Sequence, residues 1–121
     1  MRGVRARARG DGVTIDCEQL RDVARGFSLR FPPSDDPFQM MTRLLEECGE
    51  LAQQVNHFEG SGVKCEKHGE PDRVQLAHEI RDVLKCVVQV MDHYGVEEEV
   101  AASIDLYYHS LKREGFIADR A

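Results

Sequence analysis

Glu46, Glu47 and Glu50 stand within five residues of one another, and after 28 intervening residues the pair Glu79 and Asp82 repeats the spacing of Glu47 and Glu50. A single Glu-x-x-Glu on a helix is ordinarily a solvated face. Two matching pairs are a different matter, because helices that pack side by side can bring such pairs together at one edge of a shared core. Like charges at i, i+3 and i, i+4 destabilise a helix by roughly 0.2 to 0.5 kcal/mol per pair. Convergence of the two pairs costs more unless something neutralises them. A divalent cation would do so. Oxygen-only donors suit a hard ion, Mg²⁺ or Mn²⁺, which keeps part of its water and engages substrate phosphates rather than being caged by protein. Glu47, Glu50, Glu79 and Asp82 are therefore the candidate metal ligands.

The elements that must hold these residues are helices. Leu44, Leu45, Cys48, Leu51, Ala52 and Val55 recur at i, i+3, i+4 and i+7 and form one apolar stripe. At about 100° per residue, Glu47 and Glu50 fall side by side, roughly 90° to 150° from its middle, with Glu46 further towards the back. A later helix has the stripe Leu76, Ile80, Val83, Leu84, Val87 and Met91. Glu79 and Asp82 sit at the same angular offset from that stripe.

At these residues the chain resembles a known family. Leu44-Leu45-Glu46-Glu47-Cys48-Gly49-Glu50-Leu51-Ala52 followed by Glu79-Ile80-Arg81-Asp82-Val83-Leu84 is similar to the signature of the MazG-like all-α nucleoside triphosphate pyrophosphohydrolases. That superfamily also takes in dimeric dUTPases, dCTPases and phosphoribosyl-ATP pyrophosphatases. The resemblance covers about residues 37 to 117. It implies an all-α, four-helix bundle assembled by oligomerisation, as a homodimer or a dimer of dimers. It also implies Mg²⁺-dependent hydrolysis of a nucleoside triphosphate between the α and β phosphates, giving a monophosphate and pyrophosphate, with a dNTP or non-canonical NTP as substrate and a housekeeping role in the nucleotide pool. In that setting Glu46 is the candidate catalytic residue, orienting water or acting as base. Phe38 and Gln39 at the start of the second helix are candidates for a base pocket, and Arg43, on the acidic face, for a phosphate contact. An i, i+4 ion pair of Arg43 with Glu47 is its competing role. Near the end, members often carry a Lys, an Asn and an Arg before a Gly-aromatic pair. This chain has Asp105, His109 and Lys112 before Gly115-Phe116, and Lys112 and Arg113 are its candidate phosphate contacts there.

Two rival readings use the same residues. A carboxylate-bridged di-metal bundle also projects acids from paired helices, but its iron form wants Glu-x-x-His, and here Glu50 and Asp82 stand three residues after Glu47 and Glu79. In a non-catalytic helical interaction protein the acidic pairs would be a solvated face with no affinity for Mg²⁺.

The remainder of the chain frames these helices. A length of 121 residues suits one domain, 14–121, preceded by a basic tail at 1–13 in which Arg2, Arg5, Arg7 and Arg9 have no periodic partner. The formal charge is −6, and without those four arginines the body stands near −10, which argues against a nucleic-acid-binding surface. No apolar run approaches the roughly 18 to 20 residues that span a bilayer, and the N-terminus lacks the apolar centre of a signal peptide, so no membrane contact and a cytoplasmic location are expected. Four cysteines, Cys17, Cys48, Cys65 and Cys86, are too scattered for a disulfide framework; Cys48 and Cys86 read as small core residues. Cys65-x-x-His68 has a zinc-like spacing without a second ligand pair.

Capping signals place the boundaries. A first helix over about 16–28 starts at Asp16-x-x-Gln19, with Leu20, Val23, Ala24 and Phe27 as its stripe. Residues 31–36 break the chain at Pro32-Pro33. The second helix runs over about 37–58, with Asp36 as N-cap and Pro37 at the first helical position. Residues 59–71 form a loop in which Lys64, Lys67 and His68 can lean over a triphosphate. A third helix spans about 72–94, ending at Gly95. Cys86 and Val90 share the side of Asp82, so the first helix, the fourth helix or a second subunit should cover that flank. The fourth spans about 97–113, and its apolar residues Val100, Ile104, Leu106, Tyr107, Tyr108 and Leu111 wrap more of the helix than one chain needs.

Overall fold

The computed structural model describes residues 13–60 and 69–120. Most of the basic tail lies outside the described residues, as do Lys64, Cys65, Lys67 and His68. Among the described residues the regular elements are all helical: α1 (Cys17–Arg30), a short 3₁₀ turn (Pro32–Asp35), α2 (Pro37–Phe58), α3 (Arg73–Tyr94) and α4 (Glu97–Arg113). None of these helices is long and apolar enough to cross a membrane. By its internal contacts the chain divides into one unit up to Val90 and a second from Met91.

Local chemistry accounts for the boundaries. The Asp16 carboxylate accepts the backbone N–H groups of Glu18 at 2.9 Å and Gln19 at 3.2 Å, satisfying two donors that the first turn of α1 leaves open. Asp36 accepts the Phe38 N–H at 2.9 Å and Asp72 the Val74 N–H at 2.8 Å, which starts α2 and α3 in the same way. α1 runs two residues further than expected, to Arg30, because the Pro32 ring excludes the helical region only at the residue before it. The expected break then winds as a 3₁₀ turn, a conformation that the fixed φ of Pro32 and Pro33 suits. Gly95, at φ 63°, lets the Val96 N–H reach back to the Met91 carbonyl and close α3; Gly115, at φ 88°, does the same for α4 through Phe116 and Leu111.

Within the first unit, contacts fix the directions of the helices. Arg43 of α2 meets Gln89 of α3, while Glu47, further along α2, meets Asp82, further back along α3, so the two run antiparallel. α1 lies alongside α3 in the same direction: Leu20 and Val23 share a groove of about 450 Å³ with Ala77, Ile80 and Leu84, and Ser28 bonds to Gln89.

Burial differs from the expectation drawn from the stripes. On α2 the buried residues are Met40, Gln54 and His57, whereas Leu45 is 68% exposed, Val55 48% exposed, and Cys48 and Ala52 are also exposed. On α3 the buried residues are Glu79, Lys85, Cys86, Val88 and Gln89, while Ile80 is 41% exposed and Val87 47% exposed. The side of each helix that carries the acids is therefore the side buried within the chain, and the apolar stripes are only half covered. Cys86 is fully enclosed, as expected, but Cys48 is not a core residue, because it belongs to the uncovered stripe. In the second unit no residue of α4 is buried, with Ile104, Leu106 and Tyr107 among its exposed apolar side chains.

Candidate metal centre

Three of the four candidate ligands come together. Carboxylate oxygens of Glu47, Glu79 and Asp82 all lie within 4.8 Å of one another; Glu79 is buried and the other two are half-buried. The fourth, Glu50, is exposed and lies outside this group, and so does the exposed Glu46. α2 supplies one carboxylate and α3 the other two, one turn apart on the same face. The antiparallel packing of α2 on α3 makes the cluster.

The electrostatics of the cluster are those of crowded negative charge that nearby cations offset only in part. Burial pushes the Glu47 carboxyl above the usual carboxylate range; a hydrogen bond with Asp82 and the charges of Asp82 and Glu79 push it the same way, and Lys85 opposes them. The other polar groups here keep the acids in place. Gln75 donates to Glu79 Oε1 at 3.0 Å from one turn earlier on α3. Arg81 lies 3.1 Å from Asp82 Oδ1 through both Nε and Nη2, and Lys85 Nζ lies 4.0 Å from the same oxygen.

Beside the cluster is an aromatic platform from α1. The ring of Phe27 carries Lys85 Nζ at 3.6 Å from its centroid and the Arg43 guanidinium at 5.2 Å, and Phe31 packs against it at 4.9 Å. Arg43 donates to Gln89 Oε1 at 3.4 Å, and Gln89 Nε2 donates to Ser28 Oγ at 3.0 Å. α1 is thus the cover expected for the flank beside Asp82. Burial pushes the Cys86 thiol up, with Glu47 and Asp82 adding to the shift and Lys85 and Arg43 opposing it, so this cysteine stays a protonated packing residue.

Phe38 is 80% exposed and Gln39 is exposed. In the second unit, Lys112 pairs with Asp119 at 2.9 Å and lies 5.9 Å from the Tyr108 ring, Arg113 is exposed, and His109 Nε2 is 3.3 Å from Asp105 Oδ1. Lys85, Phe27, Gln75 and Gln89 were absent from the sequence reading of the site. Spacing alone could have found two of them: Gln75 is i−4 from Glu79, and Lys85 is i+3 from Asp82.

The donor set suits a hard divalent ion: three carboxylates, oxygen donors only, from two helices and close enough to share one centre. No protein family model matches the chain, and no solved structure matches it. Over 65 residues, 54% of the chain, it is 42% identical to an uncharacterized protein, YpjD, of Bacillus subtilis (strain 168), and the match takes in 56% of that protein. The chain thus spans about half the length of the curated relative it matches.

Proposed function

We propose that the protein is a MazG-like nucleoside triphosphate pyrophosphohydrolase in which Glu47, Glu79 and Asp82 hold Mg²⁺, with Mn²⁺ as a substitute. The observation that carries this reading is the convergence of three carboxylates from two helices within 4.8 Å, in a chain whose acidic motifs resemble that family's. A bound divalent ion there would offset charge on the phosphates and lower the pKa of an attacking water. The protein side chains do the positioning. Gln75 holds the Glu79 carboxylate, Arg81 and Lys85 hold that of Asp82, and Glu50, one turn along α2 from Glu47 and open to solvent, would complete the ligand set or orient water. Glu46 is the second such group on α2. Arg43 lies beside the cluster with its charge next to the ring of Phe27, within one turn of Glu47, and serves as the phosphate contact.

We also place the active form as an oligomer. Among the described residues the buried apolar side chains are Ala24, Met40, Cys86 and Val88, too few to be the core of a folded chain of this length. Leu45, Val55, Ile80 and Val87 are the stripes that a second copy would cover, in a homodimer or a dimer of dimers.

Incubating the protein with a panel of NTPs and dNTPs and millimolar Mg²⁺, with products resolved by ³¹P NMR, tests the activity. A monophosphate and pyrophosphate in equal amounts are expected from at least one substrate. Release of orthophosphate from clean substrates, or no turnover of any of them, contradicts the proposal.

A further inference from the structure

The least expected residue in the first unit is Lys85. It is 8% exposed, and a lysine so enclosed needs a partner for its charge. It has two. The Phe27 ring sits 3.6 Å from Nζ, and Asp82 Oδ1 sits 4.0 Å away. The ring fixes the ammonium on one side and the carboxylate draws it on the other, and the desolvated face of an aromatic ring is a strong seat for a cation. Arg81, which touches the same oxygen, is different: its side chain is 55% exposed, so it can give up Asp82 to water at little cost. Lys85 has no such exit, since its stem is part of the packing between α1 and α3.

We propose that Lys85 is a resident cation of the carboxylate centre, seated on Phe27 so that it competes with a divalent ion for Asp82 and its neighbours and limits the centre to a single such ion. This rests on the reading of Glu47, Glu79 and Asp82 as a metal centre. The charge count is simple. Three ionised carboxylates carry three negative charges and Lys85 cancels one; once the exposed Arg81 turns to water, one divalent ion cancels the remaining two. A second divalent ion would meet an excess of positive charge that the packing of Lys85 prevents from moving away. The lysine therefore weakens the site for its ion while holding the metal-free cluster together, which keeps the affinity low enough for the ion to be shared with a phosphate ligand.

The test is a Mn²⁺ titration of the full chain, without nucleotide, with free Mn²⁺ read by electron paramagnetic resonance. Wild type is compared with Lys85→Met, which keeps the length of the stem over Phe27, and with Lys85→Arg, which keeps the charge. The wild type is expected to take one ion per chain. Removing a charge about one ion-pair distance from a divalent ion strengthens binding by about thirtyfold even with water-like screening, so Lys85→Met is expected to bind Mn²⁺ about thirtyfold more tightly and Lys85→Arg to stay near wild type. If Lys85→Met does not fold, Lys85→Gln carries the same expectation. Neutral variants that bind with unchanged or weaker affinity beside a wild type that does bind overturn the proposal and leave the metal centre standing. Binding by the neutral variants alone overturns the proposal, because the wild type then takes no ion, and removes the metal reading of the wild type with it. No binding by any variant overturns both.

Discussion

Glu47 of α2 and Asp82 of α3 bring carboxylate oxygens within 4.8 Å of each other, although the acids lie on different helices and neither faces open water fully. Burial, Asp82 and Glu79 raise the pKa of Glu47, so it holds its proton to a higher pH than a free carboxyl does. The chain therefore folds around a repulsion that it relieves in part with that proton and in part with Lys85.

The proton makes stability depend on pH. The folded-state pKa of Glu47 is raised, so the folded chain binds this proton more tightly than the unfolded chain does. Its contribution is fully present below the unfolded carboxylate value and is lost as pH rises through the raised folded value. Metal-free protein should accordingly lose stability across the mildly acidic range as Glu47 ionises, and Glu47→Gln should flatten that part of the profile. Urea midpoints of the two proteins at a series of pH values read the difference. At neutral pH the variant should be as stable as wild type or more stable, by up to about 1 kcal/mol given partial screening. Parallel profiles for the two proteins would show that Glu47 does not carry the proton.

Phe27 joins the cluster to α1. Its ring faces Lys85 and Arg43, and a cation over an aromatic face contributes about 0.5 to 2 kcal/mol depending on desolvation. Phe27→Leu, which keeps most of the apolar contact, should cost about 1 kcal/mol, and Phe27→Ala about 2 to 3 kcal/mol once lost packing is added. Equal stability of wild type and Phe27→Leu by chemical denaturation would mean that the ring is there only as a hydrophobe.

Light scattering at micromolar concentration should give a mass of at least twice the 13.7 kDa chain. Leu45→Glu, at a position 68% exposed within one chain, should shift that mass towards the monomer. A monomeric wild type would contradict the assignment of the uncovered stripes to a second copy.

Much of this arrangement could be read from residue order, for physical reasons that also mark where such reading stops. Asp16 and Asp36 announce the helix starts because side-chain oxygens must satisfy backbone N–H groups that a first turn leaves open. Glu47, Glu79 and Asp82 could be brought together in advance because equal angular offsets put them on facing sides of antiparallel helices. The offset fixes a face, however, and not the point along α2 that α3 approaches, so Glu50 shared the expectation and stands outside the cluster. Lys85 escaped notice because periodicity locates a Cα and says nothing of where a four-carbon stem will carry its charge. Cys48 and Leu45 were misplaced for a third reason: an apolar stripe states that it will be covered without saying by which chain.

Thermal melting with and without millimolar Mg²⁺, for wild type and Glu79→Gln, tests the central claim most directly. Glu79 is the most buried of the three acids, and a ligand that binds only the folded chain must raise its melting temperature by mass action. Mg²⁺ should raise the melting temperature of the wild type, and the rise should shrink or vanish in Glu79→Gln while the metal-free melt of the variant stays equal to or above that of wild type. A small rise of the same size in both proteins would make Glu47, Glu79 and Asp82 a solvated acidic face and contradict the metal centre.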